Sequence, residues 1–108
     1  MEFSEYQRLS RRTAVYPREA GLSYPALGLA GEAGEVAEQI KKSIRDDGGE
    51  LTGQRRSALA KELGDVLWYL AQLATELDLD LDEVAAGNLD KLRSRQLRGV
   101  LSGSGDNR

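Results

Sequence analysis

The chain has no cysteine and no histidine among its 108 residues. Without cysteine there are no disulfides, no thiol nucleophile and no thiolate zinc site. Without histidine the chain lacks the commonest zinc ligand and the usual general base near neutral pH. Any metal must then be held by oxygen, which favours Mg²⁺, with Mn²⁺ as a substitute. Proline is scarce, at two residues, as suits long helices. Positive charge is also short: Lys plus Arg is 15 against 18 Asp plus Glu, a net charge of −3. That argues against binding a nucleic-acid backbone, which needs a basic stripe. No apolar run approaches the ~20 residues of a membrane span, and the polar stretch Met1 to Leu9 does not read as a signal peptide. These absences predict a cytoplasmic protein with no membrane or nucleic-acid partner.

What is present suits a helical domain. Hydrophobic residues make up 40% and charged residues 31%, enough for one modest core with solvated outer faces. Periodicity predicts a first helix over roughly residues 2–14, carried by Phe3, Tyr6, Leu9 and Thr13. Residues 15–24, with Pro17 and Gly21, read as a loop rich in tyrosine. Pro25 suits the first turn of a second helix, roughly 25–44, capped by Ser23 or Tyr24. Gly28, Gly31 and Gly34 lie inside it. Each costs roughly 1 kcal/mol against alanine, so a close approach by a helix or ligand is expected there. Asp46 to Glu50 stop this helix. A third helix, roughly 54–77, carries Leu59, Leu63, Val66, Leu67, Leu70, Leu73, Ala74 and Leu77 as one stripe. Asp80 and Glu83 have capping-box spacing and open a fourth helix, roughly 81–98. The fold class is therefore all-α, a four-helix bundle with a domain over 1–98. The Gly/Ser-rich tail 99–108 reads as disordered.

Two acidic pairs stand out: Glu32 with Glu35, and Glu62 with Asp65. Residues three apart on a helix share a face. Advancing roughly 100° per residue from Glu32, the apolar residues Leu29, Ala33, Val36, Ala37 and Ile40 fall between roughly 40° and 140°, and Glu35 near 300°. Starting from Glu62, Leu59, Leu63, Val66, Leu67 and Leu70 fall in the same sector, and Asp65 again near 300°. Both pairs occupy the same rim of their stripes. If the stripes pack together, the pairs line one cleft. A lone pair of this kind is usually a solvated surface, but four carboxylates in one cleft repel unless cations neutralise them. Glu38 lies a further turn on, rotated away, as a third glutamate.

The fourth helix adds Asn88, Lys91 and Arg95 in one stripe. Asn88 falls among Val84, Leu89 and Leu92, so partial burial is expected. Amide, ammonium and guanidinium together suit a phosphate chain; the plain alternative is a core Asn beside surface bases. Lys41 is either solvated or within reach of a phosphate. Trp68 points away from the apolar sector, near roughly 240°, and reads as a subunit contact or a stacking surface. Tyr6, Tyr16 and Tyr24 read as core or staple residues, and the aromatics near the start of the second helix also suit stacking on a nucleobase.

The segments Gly28-Leu29-Ala30-Gly31-Glu32-Ala33-Gly34-Glu35-Val36, Ile40-Lys41-Lys42, Glu62-Leu63-Gly64-Asp65-Val66-Leu67-Trp68-Tyr69 and Asn88-Leu89-Asp90-Lys91-Leu92-Arg93-Ser94-Arg95 resemble the MazG-like nucleoside triphosphate pyrophosphohydrolases. These belong to the all-α pyrophosphatase superfamily with dCTP pyrophosphatases and dimeric dUTPases. The resemblance runs over most of the chain, Tyr16 to Arg95. It implies a homo-oligomer, dimer or dimer of dimers. It implies Mg²⁺ on Glu32, Glu35, Glu62 and Asp65, and phosphate contacts from Asn88, Lys91 and Arg95. The implied reaction is hydrolysis of a nucleoside triphosphate to the monophosphate and pyrophosphate, as in nucleotide-pool house-cleaning. Glu35 or Glu38 would orient the water or take its proton. Full-length MazG proteins carry two such domains, and this chain shows one.

Other readings fit less well. A non-catalytic helical oligomer with a vestigial acidic site is the main alternative. A di-iron bundle normally uses E-x-x-H pairs, and histidine is absent. A Nudix hydrolase needs an α/β fold and an R-E-x-x-E-E run, and neither is visible.

Overall fold

A long helical hairpin organises the molecule. The computed structural model describes residues 1–108 and contains helices and turns without strands. Helix α1 is Phe3–Ser10, α2 is Ser23–Asp46, α3 is Gly53–Glu76 and α4 is Leu81–Leu97. The all-helical, four-helix expectation holds. The packing is uneven: α2 and α3 pack along their length, α1 lies across α3, and α4 is held mainly by α1.

Local chemistry explains the boundaries. The first helix ends four residues before the expected Ala14. The Ser10 hydroxyl bonds back to the Gln7 carbonyl at 2.9 Å and the Thr13 hydroxyl to the Ser10 carbonyl at 2.8 Å. Such back-bonding competes with the regular ladder, and Arg11–Thr13 tighten into a 3₁₀ turn. A second 3₁₀ turn, Arg18–Ala20, interrupts the loop. Helix α2 begins at Ser23 with Leu22 as its N-cap and no side-chain cap bond, so neither Ser23 nor Tyr24 serves as the cap. Pro25 sits in the first turn, where its missing N–H goes unused. The far end of α2 closes on Gly48 and Gly49, at φ 65° and 82°. Gly49 N–H bonds to the Ser43 carbonyl at 3.0 Å, and the Ser43 hydroxyl to the Glu50 carbonyl at 2.7 Å. Thr52 caps α3 by accepting from the Arg55 N–H at 3.2 Å. Asp80 caps α4 by accepting from the Asp82 N–H at 2.8 Å. The Ser4 hydroxyl lies 2.6 Å from carboxylate oxygens of both Asp80 and Asp82, tying α1 to the start of α4.

The core is small. Ala71, Ala74 and Leu81 are buried with Tyr6 packed against them. Gln72 is fully buried among them, its amide donating to Ser10 Oγ at 2.8 Å and accepting from Arg11 at 3.3 Å. Much of the predicted stripe stays open: Leu63 and Leu70 on α3 and Leu77 just past its end are exposed, as are Val84, Leu89 and Leu92 on α4. The radius of gyration is 16.8 Å, against about 13 Å for a compact chain of 100 residues.

Beyond α4, Gly99 at φ 72° turns the chain sharply. Val100 N–H bonds to the Arg95 carbonyl at 2.8 Å and Gly99 N–H to the Gln96 carbonyl at 3.2 Å, the paired closure of a Schellman motif. Residues 99–108, which composition alone reads as unstructured, follow as bends and turns against the end of α4. The Arg108 guanidinium donates to the carbonyls of Val100, Leu101 and Gly105.

Candidate active site

The α2–α3 hairpin brings three acids together. Carboxylate oxygens of Glu32, Glu62 and Asp65 lie within 4.8 Å of one another. A close helix crossing places them. The Tyr69 ring lies so tightly on Gly28 that a Cβ there would overlap it. Gly28 is one turn before Glu32, and Tyr69 is one turn after Asp65. The glycine thus fixes how near the two helices come beside the acids. Gly31 and Gly34 meet nothing within 4 Å, so the close approach expected there is not made inside this chain.

The electrostatics show crowding. Glu32 is held above the ordinary carboxylate range. Its hydrogen bond with Glu62 is the leading cause, followed by desolvation and the charges of Asp65, Glu62 and Glu35. Glu35 is close enough to add to this field, yet it stands outside the converging three and is exposed. Three oxygen-only groups whose carboxylates converge within 4.8 Å, with Glu32 crowded by the other two, form a donor set suited to a hard divalent cation.

The other predicted site residues are dispersed. Glu38 and Lys41 pair with each other at 2.9 Å on the exposed side of α2. That bond to Lys41, reinforced by the charges of Lys41, Lys42 and Arg45, holds the Glu38 carboxyl below its usual range. Asn88 is exposed, contrary to the expected partial burial, because nothing in the chain covers that side of α4. It stands at the rim of an apolar crevice of about 240 Å³ lined by Phe3, Leu67, Leu70, Leu81 and Val84. Lys91 and Arg95 engage the tail. Arg95 donates to the Asp106 carbonyl at 2.7 Å, and the Asp106 carboxylate lies 3.7 Å from Arg95 and 3.9 Å from Lys91.

An aromatic cluster borders the acids. Tyr16 stacks on Tyr24 at 5.0 Å, and Trp68 meets Tyr69 edge-on at 5.1 Å and Tyr16 at 6.5 Å. Trp68 is therefore not an outward residue. It is half-buried, its indole N–H donates to Thr13 Oγ1 at 2.8 Å, and the N-terminal segment covers it. The Tyr69 phenol is pushed up first by desolvation, then by Tyr24 and by the Glu32 charge, which places its ring beside the acidic group. The tyrosines of the 15–24 loop were visible in the sequence; their partners on α3 were not.

The largest cleft, about 540 Å³, lies between α1 and the α3–α4 turn. Arg8, Arg11, Asp78, Asp80 and Glu83 are among its lining residues, and it contains none of the converging acids.

Residues 23–99, from the start of α2 to the turn after α4, match the MazG nucleotide pyrophosphohydrolase domain. The chain belongs to that family. It is 50% identical over 114 aligned positions to the Gene 37 protein of Mycobacterium phage L5, covering all of both chains. It is 39% identical over 71 residues to dCTP pyrophosphatase 1 of Mus musculus and 38% identical to that of Bos taurus. Those two matches take in 64% of this chain and 42% of the relatives' length. No solved structure matches. The matched region holds all the acids and the basic stripe of α4. It leaves out α1, the N-terminal loop and the tail from Val100 onward. No helix is long and apolar enough to cross a membrane.

Proposed function

We propose that this pyrophosphohydrolase domain cleaves a nucleoside triphosphate to the monophosphate and pyrophosphate in a Mg²⁺-dependent reaction, with Mn²⁺ as a substitute. The observation that carries this reading is the convergence of Glu32, Glu62 and Asp65 from two helices in a chain of this family. Their oxygens would hold the cation, and Glu35, one turn from Glu32, would complete the set. A bound cation of this kind neutralises phosphate oxygens and polarises the phosphorus under attack.

The chain's own residues divide the remaining work. Glu35 is the better candidate to orient the water at the α-phosphorus and accept its proton, because Glu38 is held low and occupied by Lys41. Tyr24 and Tyr69, 6.4 Å apart beside the acids, offer ring faces for a base. Asn88, Lys91 and Arg95 supply an amide and two cations for the phosphate chain. Lys41 is a further cation on the α2 side.

Homo-oligomerisation, as dimer or tetramer, fits the same reading. The exposed leucines of α3 and α4 need cover. Because α4 packs on α1 and not along α2, a neighbouring copy offers one route for its basic stripe to reach the triphosphate. The biological role would be removal of a nucleotide from the pool.

The test is a panel of ribo- and deoxyribonucleoside triphosphates, dCTP first, incubated with and without Mg²⁺ in ¹⁸O water. The expected products are monophosphate and pyrophosphate, formed only with the cation, with the label in the monophosphate. Absence of turnover across the panel, or diphosphate plus phosphate as products, would overturn the reading.

A further inference from the structure

The tail beyond α4 makes a set of contacts that the proposed reaction leaves unexplained. Arg95 is the one basic side chain of the chain that is buried, and what it meets is Asp106. Its guanidinium is about 5% exposed and donates to the Asp106 main-chain carbonyl at 2.7 Å. The Asp106 carboxylate, 90% exposed, sits between Arg95 and Lys91 at 3.7 and 3.9 Å. Lys91 and Arg95 lie one turn apart on α4, so both cations face one anion.

The return path is built. Gly99 reverses the chain through its Schellman closure. Gly103 and Gly105, at φ 113° and 88°, take conformations that L side chains rarely adopt. Arg108 then ties Val100, Leu101 and Gly105 together through their carbonyls. The result is a closed loop that presents one carboxylate to two cations.

We infer that the tail is an intrachain competitor: the loop clipped by Arg108 places Asp106 on Lys91 and Arg95, where it excludes the phosphate chain of the substrate or of the pyrophosphate product. This rests on the proposed role of Lys91 and Arg95 in phosphate binding. The contact suits a competitor more than a permanent lock. The carboxylate is solvent-facing, both ion pairs are longer than 3.5 Å, and the Lys91 pair is exposed on both sides, where such pairs are weak. A polyanion carrying several charges displaces a single carboxylate, and apparent affinity falls by the fraction of molecules with the loop closed.

The experiment compares the full chain with Asp106→Asn, Arg108→Ala and the double variant. Binding of inorganic pyrophosphate with Mg²⁺ is measured by calorimetry, and KM and kcat for the best triphosphate of the panel are measured alongside. The double variant should bind pyrophosphate roughly 3- to 10-fold more tightly and lower KM by the same factor, with kcat unchanged. High salt should narrow the difference by screening the exposed pair. Pyrophosphate affinity within twofold of the parent chain would overturn the competitor role, as would a change in kcat alone. If Arg108→Ala disturbs folding by circular dichroism, Asp106→Asn alone decides, since that side chain is almost wholly in solvent. The calorimetric arm needs no turnover. A chain that hydrolyses nothing yet gains pyrophosphate affinity would sink the proposed reaction and support the competing tail.

Discussion

The hydrogen bond with Glu62 is the leading cause that holds the Glu32 carboxyl above the ordinary range, with Asp65, Glu62 and Glu35 crowding it, so a cation bound there competes with a proton. The helical phase of the two pairs was legible in the sequence and put all four acids on one rim. Phase alone does not say how two helices cross, and the crossing at Gly28 and Tyr69 selects Glu32, Glu62 and Asp65 while leaving Glu35 at the edge. The contact of Arg11 with Glu76 at 2.7 Å, shared with the Tyr16 hydroxyl at 3.0 Å, was not legible, because it joins residues 65 apart in sequence. It holds the N-terminal segment over Trp68. Glu76 is kept below its ordinary 4.5, first by the Arg11 hydrogen bond and then by that of Tyr16. A depressed folded-state value means that ionised Glu76 contributes stability above 4.5, and that this is lost as pH falls through the lower folded value. Trp68 emission should therefore shift to the red on acidification below pH 4.5. In Glu76→Gln the shifted emission should already be present at neutral pH and the acid step should shrink. An unchanged acid step in that variant would contradict the role given to the pair.

Helices α2, α3 and α4 fell within a few residues of the expected spans, because long amphipathic stretches bounded by Pro25, Gly48, Gly49 and Asp80 carry their own start and stop signals. The first helix was shortened by hydroxyl back-bonding at Ser10 and Thr13, which periodicity does not register. The three glycines of α2 separate on inspection. Gly28 is required by the Tyr69 ring, so Gly28→Ala should destabilise by about 1–3 kcal/mol through overpacking. Gly31 faces open space, and Gly31→Ala should be neutral or stabilising by up to about 1 kcal/mol through helix propensity. Thermal melts of the two variants check this, and equal losses would contradict the assigned crossing. If Gly31→Ala folds normally but loses turnover, its face borders substrate or a second chain.

The molecule as a whole has too little buried surface for its apolar content. Only eight residues are buried, and the leucine stripe that the sequence shows so clearly is not consumed within one chain. A single sequence lists apolar positions and does not say which are covered by the same copy. The same holds for the α4 stripe, whose Lys91 and Arg95 were legible as a pair and whose tail partner Asp106 was not. In solution the protein should sediment at a multiple of 11.8 kDa. Leu89→Glu, at a position 67% exposed in one chain, should shift it toward the single-chain mass without loss of helix. A wild-type monomer would contradict this. The claim at the centre remains that Glu32, Glu62 and Asp65 form the catalytic metal site. It is tested most directly by pyrophosphate release from the best triphosphate, with Mg²⁺, by the wild-type chain and by Glu62→Gln. The expected result is a loss of at least about 100-fold, at or beyond the upper end of the roughly 10- to 100-fold seen when only an outer partner of a metal site is removed, in a variant that still folds. Release at the wild-type rate by Glu62→Gln would contradict it.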